Sequence, residues 1–154
     1  MTHEHKLGLG TLLRKVILEL DGGTQQVYDR RAASFRPRYF PVARQLTEHG
    51  PTAVSLLSER LGMTQPAISQ TLREMENDGL IALATGEDRR VRLASLTSKG
   101  RKVCSELGPV WAAVAQSADE IGSEIGADLP DIFNRLVTAL ERKPFAARVE
   151  EKLA

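Results

Sequence analysis

The stretch that most constrains this chain is residues 52–97, where two short helical patterns lead into a charged hairpin pattern. In the first, Val54, Leu57 and Leu61 fall at i, i+3 and i+7, one face of a helix. Thr52 or Ser55 can cap its start by accepting a backbone N–H. Gly62 follows, where a turn can take positive φ without a Cβ clash. Thr64 is then a second N-cap, and Pro66 lies in the first turn of the next helix, where its missing N–H costs nothing. There Ile68, Leu72 and Met75 repeat at i, i+4 and i+7 and face inward, leaving Gln65, Ser69, Gln70 and Arg73 outside. Asp78-Gly79 closes this helix with a left-handed cap.

Two short helices joined through a glycine-containing turn describe a helix-turn-helix. The outer face of the second carries side chains suited to base reading: glutamine pairs with adenine, arginine with guanine, serine or threonine with base or phosphate. The helix N-terminus adds backbone donors for a phosphate. Taken alone, a polar helix face is most often only a solvated surface. The hairpin shifts that balance. Residues 81–84 are strand-like, and residues 91–96 place Val91 and Leu93 opposite Arg92. Between them Thr85-Gly86-Glu87-Asp88-Arg89-Arg90 forms a turn with two arginines at its tip. An arginine on a protruding ribbon can enter a narrow minor groove, where negative potential is concentrated. Asp88 can brace one guanidinium through a charge-assisted hydrogen bond.

Gly79-Leu80-Ile81, then Asp88-Arg89-Arg90, then Leu96-Thr97-Ser98-Lys99-Gly100 resemble the winged-helix core of MarR-family transcription regulators. That pattern is a Gly-Leu entering the first wing strand, an Asp-x-Arg tip and a Leu-Thr-x-x-Gly closing the second strand. His49-Gly50-Pro51-Thr52 and residues 57–64 are also similar. The likeness is close over the middle third, and the flanking helices match in pattern rather than in residues. It implies Asp88 and Arg90 as paired wing residues, with Arg89 on the DNA backbone. On the helix ahead of the wing, period and cap position make Thr64, Gln65, Pro66, Ser69, Gln70 and Arg73 the candidate DNA-contacting residues. The resemblance further implies a homodimeric repressor that binds double-stranded DNA at a pseudo-palindromic operator and responds to a small-molecule effector; no residue marks the effector site.

The expected fold is mainly α with a small β-hairpin wing (α+β), a winged helix-turn-helix between N- and C-terminal dimerisation helices. Residues 1–45 would supply dimerisation and a connector, 46–100 the DNA-binding region, and 101–154 further dimerisation helices. At 154 residues the chain has length for one domain with a real core. The formal net charge of +1 argues by itself against a nucleic-acid binder. Its distribution matters more: between residues 85 and 102, Arg89, Arg90, Arg92, Lys99, Arg101 and Lys102 face only Glu87 and Asp88, whereas the chain beyond residue 103 leans acidic.

Leu9, Leu12, Leu13, Val16, Ile17 and Leu20 open a helix expected to run on through Ala32, bent at Gly22-Gly23. A stripe this broad exceeds what a small core can cover and calls for a partner chain. Residues 35–41 form a proline-punctuated connector whose aromatics are read as packing a helix junction, in preference to bordering a pocket for an aromatic anion. Residues around Val42 and Leu46 make a short helix ending at Gly50, with His49 near its C-terminal dipole. Thr97 caps a helix that passes a kink at Gly108-Pro109 and loosens at Gly122 and Gly126. Asp128-Leu129-Pro130 opens another, stopped before Pro144, and residues 145–153 add an amphipathic tail.

His3 and His5 read as a loose terminus, and no metal or cofactor is expected. A single cysteine, Cys104, rules out an internal disulfide framework. On its apolar stretch, without a resolving thiol, it reads as a small inert hydrophobe instead of an oxidant sensor. No run of apolar residues is long enough for a bilayer, and the start lacks signal-peptide character, so the cytoplasm is the expected location. There is no phosphate loop, nucleophile elbow or His–carboxylate arrangement to suggest an enzyme. The serious rival is a winged-helix protein-interaction scaffold that never reads DNA.

Overall fold

The computed structural model describes residues 8–31 and 34–153; His3, His5 and Ala32 lie outside them. By its own contacts the chain divides between Val110 and Trp111.

In the first unit, helix α1 (Leu9–Arg31) runs unbroken through Gly22-Gly23. Its only buried residue is Tyr28, while Leu9, Val16, Ile17 and Leu18 stay exposed. The connector forms a 3-10 turn at Pro37–Tyr39 and leads into α2 (Phe40–His49), closed by Gly50 at φ +71°. The connector aromatics pack, as read from the sequence. Tyr28, Phe35 and Tyr39 are each almost fully buried, and their rings meet edge-on at 5.1 and 5.7 Å, the geometry that ring quadrupoles favour.

Helices α3 (Val54–Leu61) and α4 (Gln65–Asn77) form the helix-turn-helix. Gly62 sits at φ +59°, a conformation that costs a Cβ-bearing residue about 1 kcal/mol or more. The Met63 and Gly62 amides return to the Ser58 and Glu59 carbonyls, satisfying the end of α3. The predicted inner face of α4 is buried: Ile68, Leu72 and Met75, joined by Thr71, whose hydroxyl bonds back to the Ala67 carbonyl.

The start of α3 differs from expectation. Its N-cap position is Ala53, with no side-chain cap, so neither Thr52 nor Ser55 serves. Thr52 instead belongs to a two-residue strand, β1 (Thr52–Ala53), and its hydroxyl donates to the Gly50 carbonyl at 2.9 Å. Strands β2 (Ile81–Thr85) and β3 (Arg92–Leu96) complete an antiparallel sheet in the order β1-β3-β2. Register Ile81↔Leu96 and Leu83↔Ala94, with Thr52↔Ala94, sets these five residues on one face. That face is the core side, with Ala94 fully buried; Val91 and Leu93, on the other, are half-exposed.

Helix α5 (Ser98–Ile125) continues through Pro109. Gly122 and Gly126 do not loosen its end: the Ala127 and Gly126 amides bond to the Gly122 and Ser123 carbonyls, closing it. In the second unit, Asp128 caps α6 (Leu129–Arg142) by accepting from the Asp131 amide at 2.9 Å. The Arg148 guanidinium on α7 (Phe145–Leu153) donates to the Ala139 and Lys143 carbonyls and ties the two helices together. Neither α6 nor α7 has a buried residue; Phe133, Val137 and Phe145 are among their exposed apolar side chains. Among the described residues, no helix is long and apolar enough to cross a membrane.

Candidate nucleic-acid interface

Two of the three motif pieces singled out in the sequence, Gly79-Leu80-Ile81 and Leu96-Thr97-Ser98-Lys99-Gly100, meet at one joint, while Asp88-Arg89-Arg90 lies at the far end of the hairpin. The Thr97 hydroxyl accepts from the Gly100 amide at 3.0 Å, capping α5, and donates to the Gly79 carbonyl at 2.7 Å. The Thr97 amide bonds to the Leu80 carbonyl at 3.0 Å. Gly100 then passes so close to Leu80 that a Cβ there would lie 1.9 Å from the Leu80 carbonyl oxygen. The spacing Leu-Thr-x-x-Gly is thus a docking device: threonine caps and anchors, and glycine permits the approach. It locks the end of α4 to the base of the wing.

On α4, Thr64 accepts from the Ala67 amide at 3.4 Å, so its hydroxyl is partly committed to capping. Gln65, Pro66, Gln70 and Arg73 are exposed and Ser69 is half-exposed. Ile68, Thr71, Leu72 and Met75 point the other way, so helical geometry brings Gln65, Ser69, Gln70 and Arg73 to one outer surface.

The wing tip is closed by backbone bonds, Gly86 amide to Val91 carbonyl at 2.7 Å and Val91 amide to Asp88 carbonyl at 2.9 Å. Asp88 does not brace a guanidinium. Its Oδ1 accepts from the Arg90 backbone N–H at 2.9 Å, the local Asx geometry that a carboxylate two residues away reaches most readily. Arg89 and Arg90 are exposed, and among the described residues no carboxylate pairs with either. Two cations are therefore held at the tip of a ribbon by a turn that leaves their donors unused. Part of the basic cluster behind the wing is engaged internally: Lys99 Nζ donates to the Asp78 carbonyl and Arg101 Nη1 to the Leu96 carbonyl, both at 2.7 Å.

Sequence reading missed a brace on the far flank of α4. Arg38 pairs with Glu74, and the Tyr39 hydroxyl donates to Asp78 Oδ2 at 2.8 Å. Burial pushes the Tyr39 hydroxyl up from its ordinary value, and the bond to Asp78 and that carboxylate's charge add to the shift. Cys104 is buried, and burial raises its thiol too, with a Thr47 hydrogen bond opposing.

A three-stranded sheet with a basic-tipped ribbon, packed on a helix-turn-helix whose second helix is polar outside, defines a winged-helix fold. Residues 35–91 match the sequence profile of the MarR family. Solved structures share the fold. The M. tuberculosis transcriptional regulator MOSR in complex with DNA is 21% identical at a TM-score of 0.71, with 92% of this chain and 99% of that one covered. The S. aureus MepR–DNA complex is 17% identical at 0.69, over 88% and 98%. Bordetella bronchiseptica BpsR, whose DNA binding is regulated by 6-hydroxynicotinic acid, is 20% identical at 0.64, over 92% and 96%.

Proposed function

We propose that this chain is a homodimeric, sequence-specific double-stranded DNA-binding regulator that acts as a ligand-responsive repressor. The observation carrying this reading is the pair of uncommitted arginines, Arg89 and Arg90, on a wing locked to a helix with an outward face of Gln65, Ser69, Gln70 and Arg73. The helix enters a major groove, with Arg73 and the glutamines at base edges and Thr64, Pro66 and the first-turn amides near phosphate. The wing follows the flanking minor groove, with Arg90 inserted, Arg89 on the backbone and Asp88 shaping the tip.

Dimerisation is supported by the exposed apolar side chains of α1 and, separately, by those of α6 and α7. Surfaces of this kind on a lone subunit mark interaction sites. A two-fold dimer doubles the reading head, so half-sites fall about one helical turn apart. That MOSR and MepR are solved with DNA, and that a small aromatic acid regulates BpsR, favours DNA reading and ligand response here.

The test is titration of the purified protein onto its own upstream intergenic DNA against random duplex, across a salt series, with light scattering for mass. The expected result is a dimer that prefers the intergenic fragment by about 10³-fold or more, with affinity falling steeply as salt rises. A monomer with no preference for either duplex refutes the reading and leaves the winged helix as a protein-interaction scaffold.

A further inference from the structure

On the outer flank of α4 one carboxylate is shared by two partners. Glu74 Oε2 pairs with the Arg38 guanidinium, and Glu74 Oε1 accepts from Gln70 Nε2 at 3.3 Å. A carboxylate can only accept, so the amide of Gln70 must turn its NH₂ toward Glu74. Its carbonyl oxygen and its second N–H are what remain for any ligand of the α4 outer face.

Arg38 does not come from the helix-turn-helix. It lies in the connector turn, 36 residues from Glu74, on a fixed base. Its guanidinium carbon is 5.9 Å from the centroid of the Tyr39 ring, and Tyr39 is 1% exposed and bonded to Asp78. Most surface ion pairs hold little because both side chains wander. Here the cation, its side chain 51% exposed, lies beside a buried ring, and the Glu74 side chain is only 26% exposed. Without Arg38 the Glu74 charge would face the phosphates of any duplex on α4 unneutralised.

We infer that Glu74 and Arg38 are positioning residues for base specificity. They fix Gln70 as an oriented acceptor, so that the position it reads is a base with an exocyclic amine in the major groove, adenine or cytosine. Adenine N6 and cytosine N4 offer hydrogens to Gln70 Oε1, and on adenine the second Nε2 hydrogen reaches N7. Guanine and thymine set O6 and O4 against Oε1, lone pair against lone pair, and leave only the second Nε2 hydrogen to meet them. An unbraced glutamine rotates its amide and accepts either class. This inference rests on the DNA-reading role proposed above.

The experiment selects duplexes from a randomised library with the parent, Gln70→Ala, Glu74→Gln, Arg38→Gln and Glu76→Gln. Glu74→Gln is isosteric and keeps a hydrogen-bonding partner, but one that donates as well as accepts, so it no longer dictates the amide orientation. Glu76→Gln removes the same charge from an exposed site two residues on and serves as the charge control. The expected result is one position per half-site where the parent prefers adenine or cytosine by at least about fivefold. Gln70→Ala erases that preference, Glu74→Gln and Arg38→Gln reduce it to within about twofold, and Glu76→Gln leaves it intact; all other positions keep their bases. The inference is overturned if Glu74→Gln retains the preference at the position defined by Gln70→Ala, if Gln70→Ala alters no position, or if Glu74→Gln weakens every position alike. A parent that selects no motif refutes the DNA-reading role itself.

Discussion

Replacing Gly100 by alanine should destabilise this protein although the residue lies in the first turn of α5. In a helix, glycine-to-alanine ordinarily gains about 0.5–1 kcal/mol. At Gly100 the new methyl carbon would lie 1.9 Å from the Leu80 carbonyl oxygen and 2.9 Å from its carbon. Both atoms are backbone, so no side chain can rotate away; α5 must lift from Leu80 by about 1.5 Å to restore ordinary contact. The hydrogen bonds spanning that gap are Thr97 amide to Leu80 carbonyl at 3.0 Å and Thr97 hydroxyl to Gly79 carbonyl at 2.7 Å. Stretching two such bonds costs about 1–3 kcal/mol, and the overpacking itself about as much again. Offset by helix propensity, the net loss comes to roughly 1–5 kcal/mol. Gly108, also in α5, is the internal control, since nothing lies within 4 Å of its Cβ position. Gly108→Ala should gain up to about 1 kcal/mol. Urea unfolding of both variants and the parent, followed by circular dichroism at one fixed protein concentration, reads the difference. If Gly100→Ala matches or exceeds the stability of the parent, the close approach of α5 to Leu80 is wrong.

Arg73→Ala should cost about 1–3 kcal/mol of discrimination between operator and mutated operator, while Arg90→Ala should weaken binding mainly where the flanking positions are A·T; anisotropy titrations on matched duplexes separate the two, and unchanged binding in both removes them from the interface. Tyr39→Phe strands the Asp78 carboxylate and should cost about 1–2 kcal/mol of stability in the same urea assay. The pH sign follows from the raised Tyr39 hydroxyl: unfolded tyrosine titrates near 10.0, and the folded protein holds its proton to higher pH. The contribution of Tyr39 is therefore full below about pH 10 and is lost as pH climbs above it, a decline that Tyr39→Phe should lessen. Cys104, buried with its thiol raised, should react with an aromatic disulfide reagent at pH 7 many-fold more slowly in the folded protein than in urea; equal rates would contradict its placement.

What could be read from the sequence was local. Thr64, Thr97 and Asp128 each cap a helix by bonding three residues ahead, and such pairings repeat at fixed offsets wherever a helix begins. The burial of Ile68, Leu72 and Met75 follows from period alone. The misses have different causes. Strand β1 is two residues long and carries no alternation, so Thr52 resembled a cap. Asp88 had both a guanidinium and a nearby backbone N–H in reach, and spacing does not rank the two. The Arg38–Glu74 and Tyr39–Asp78 contacts join residues 36 and 39 positions apart, and no periodicity records a pairing at that separation.

The small strand has an implication for how such a ribbon can vary. Pairing of β2 with β3 ends at Thr85↔Arg92, and residues 86–91 answer only to themselves. Extra residues there would lengthen the finger and leave the palm untouched. One residue added between Gly50 and Val54 would slide Thr52↔Ala94 by a step and turn its side chain outward. Reach is free to drift at the tip, while aim is stitched in at the opposite end, just ahead of α3.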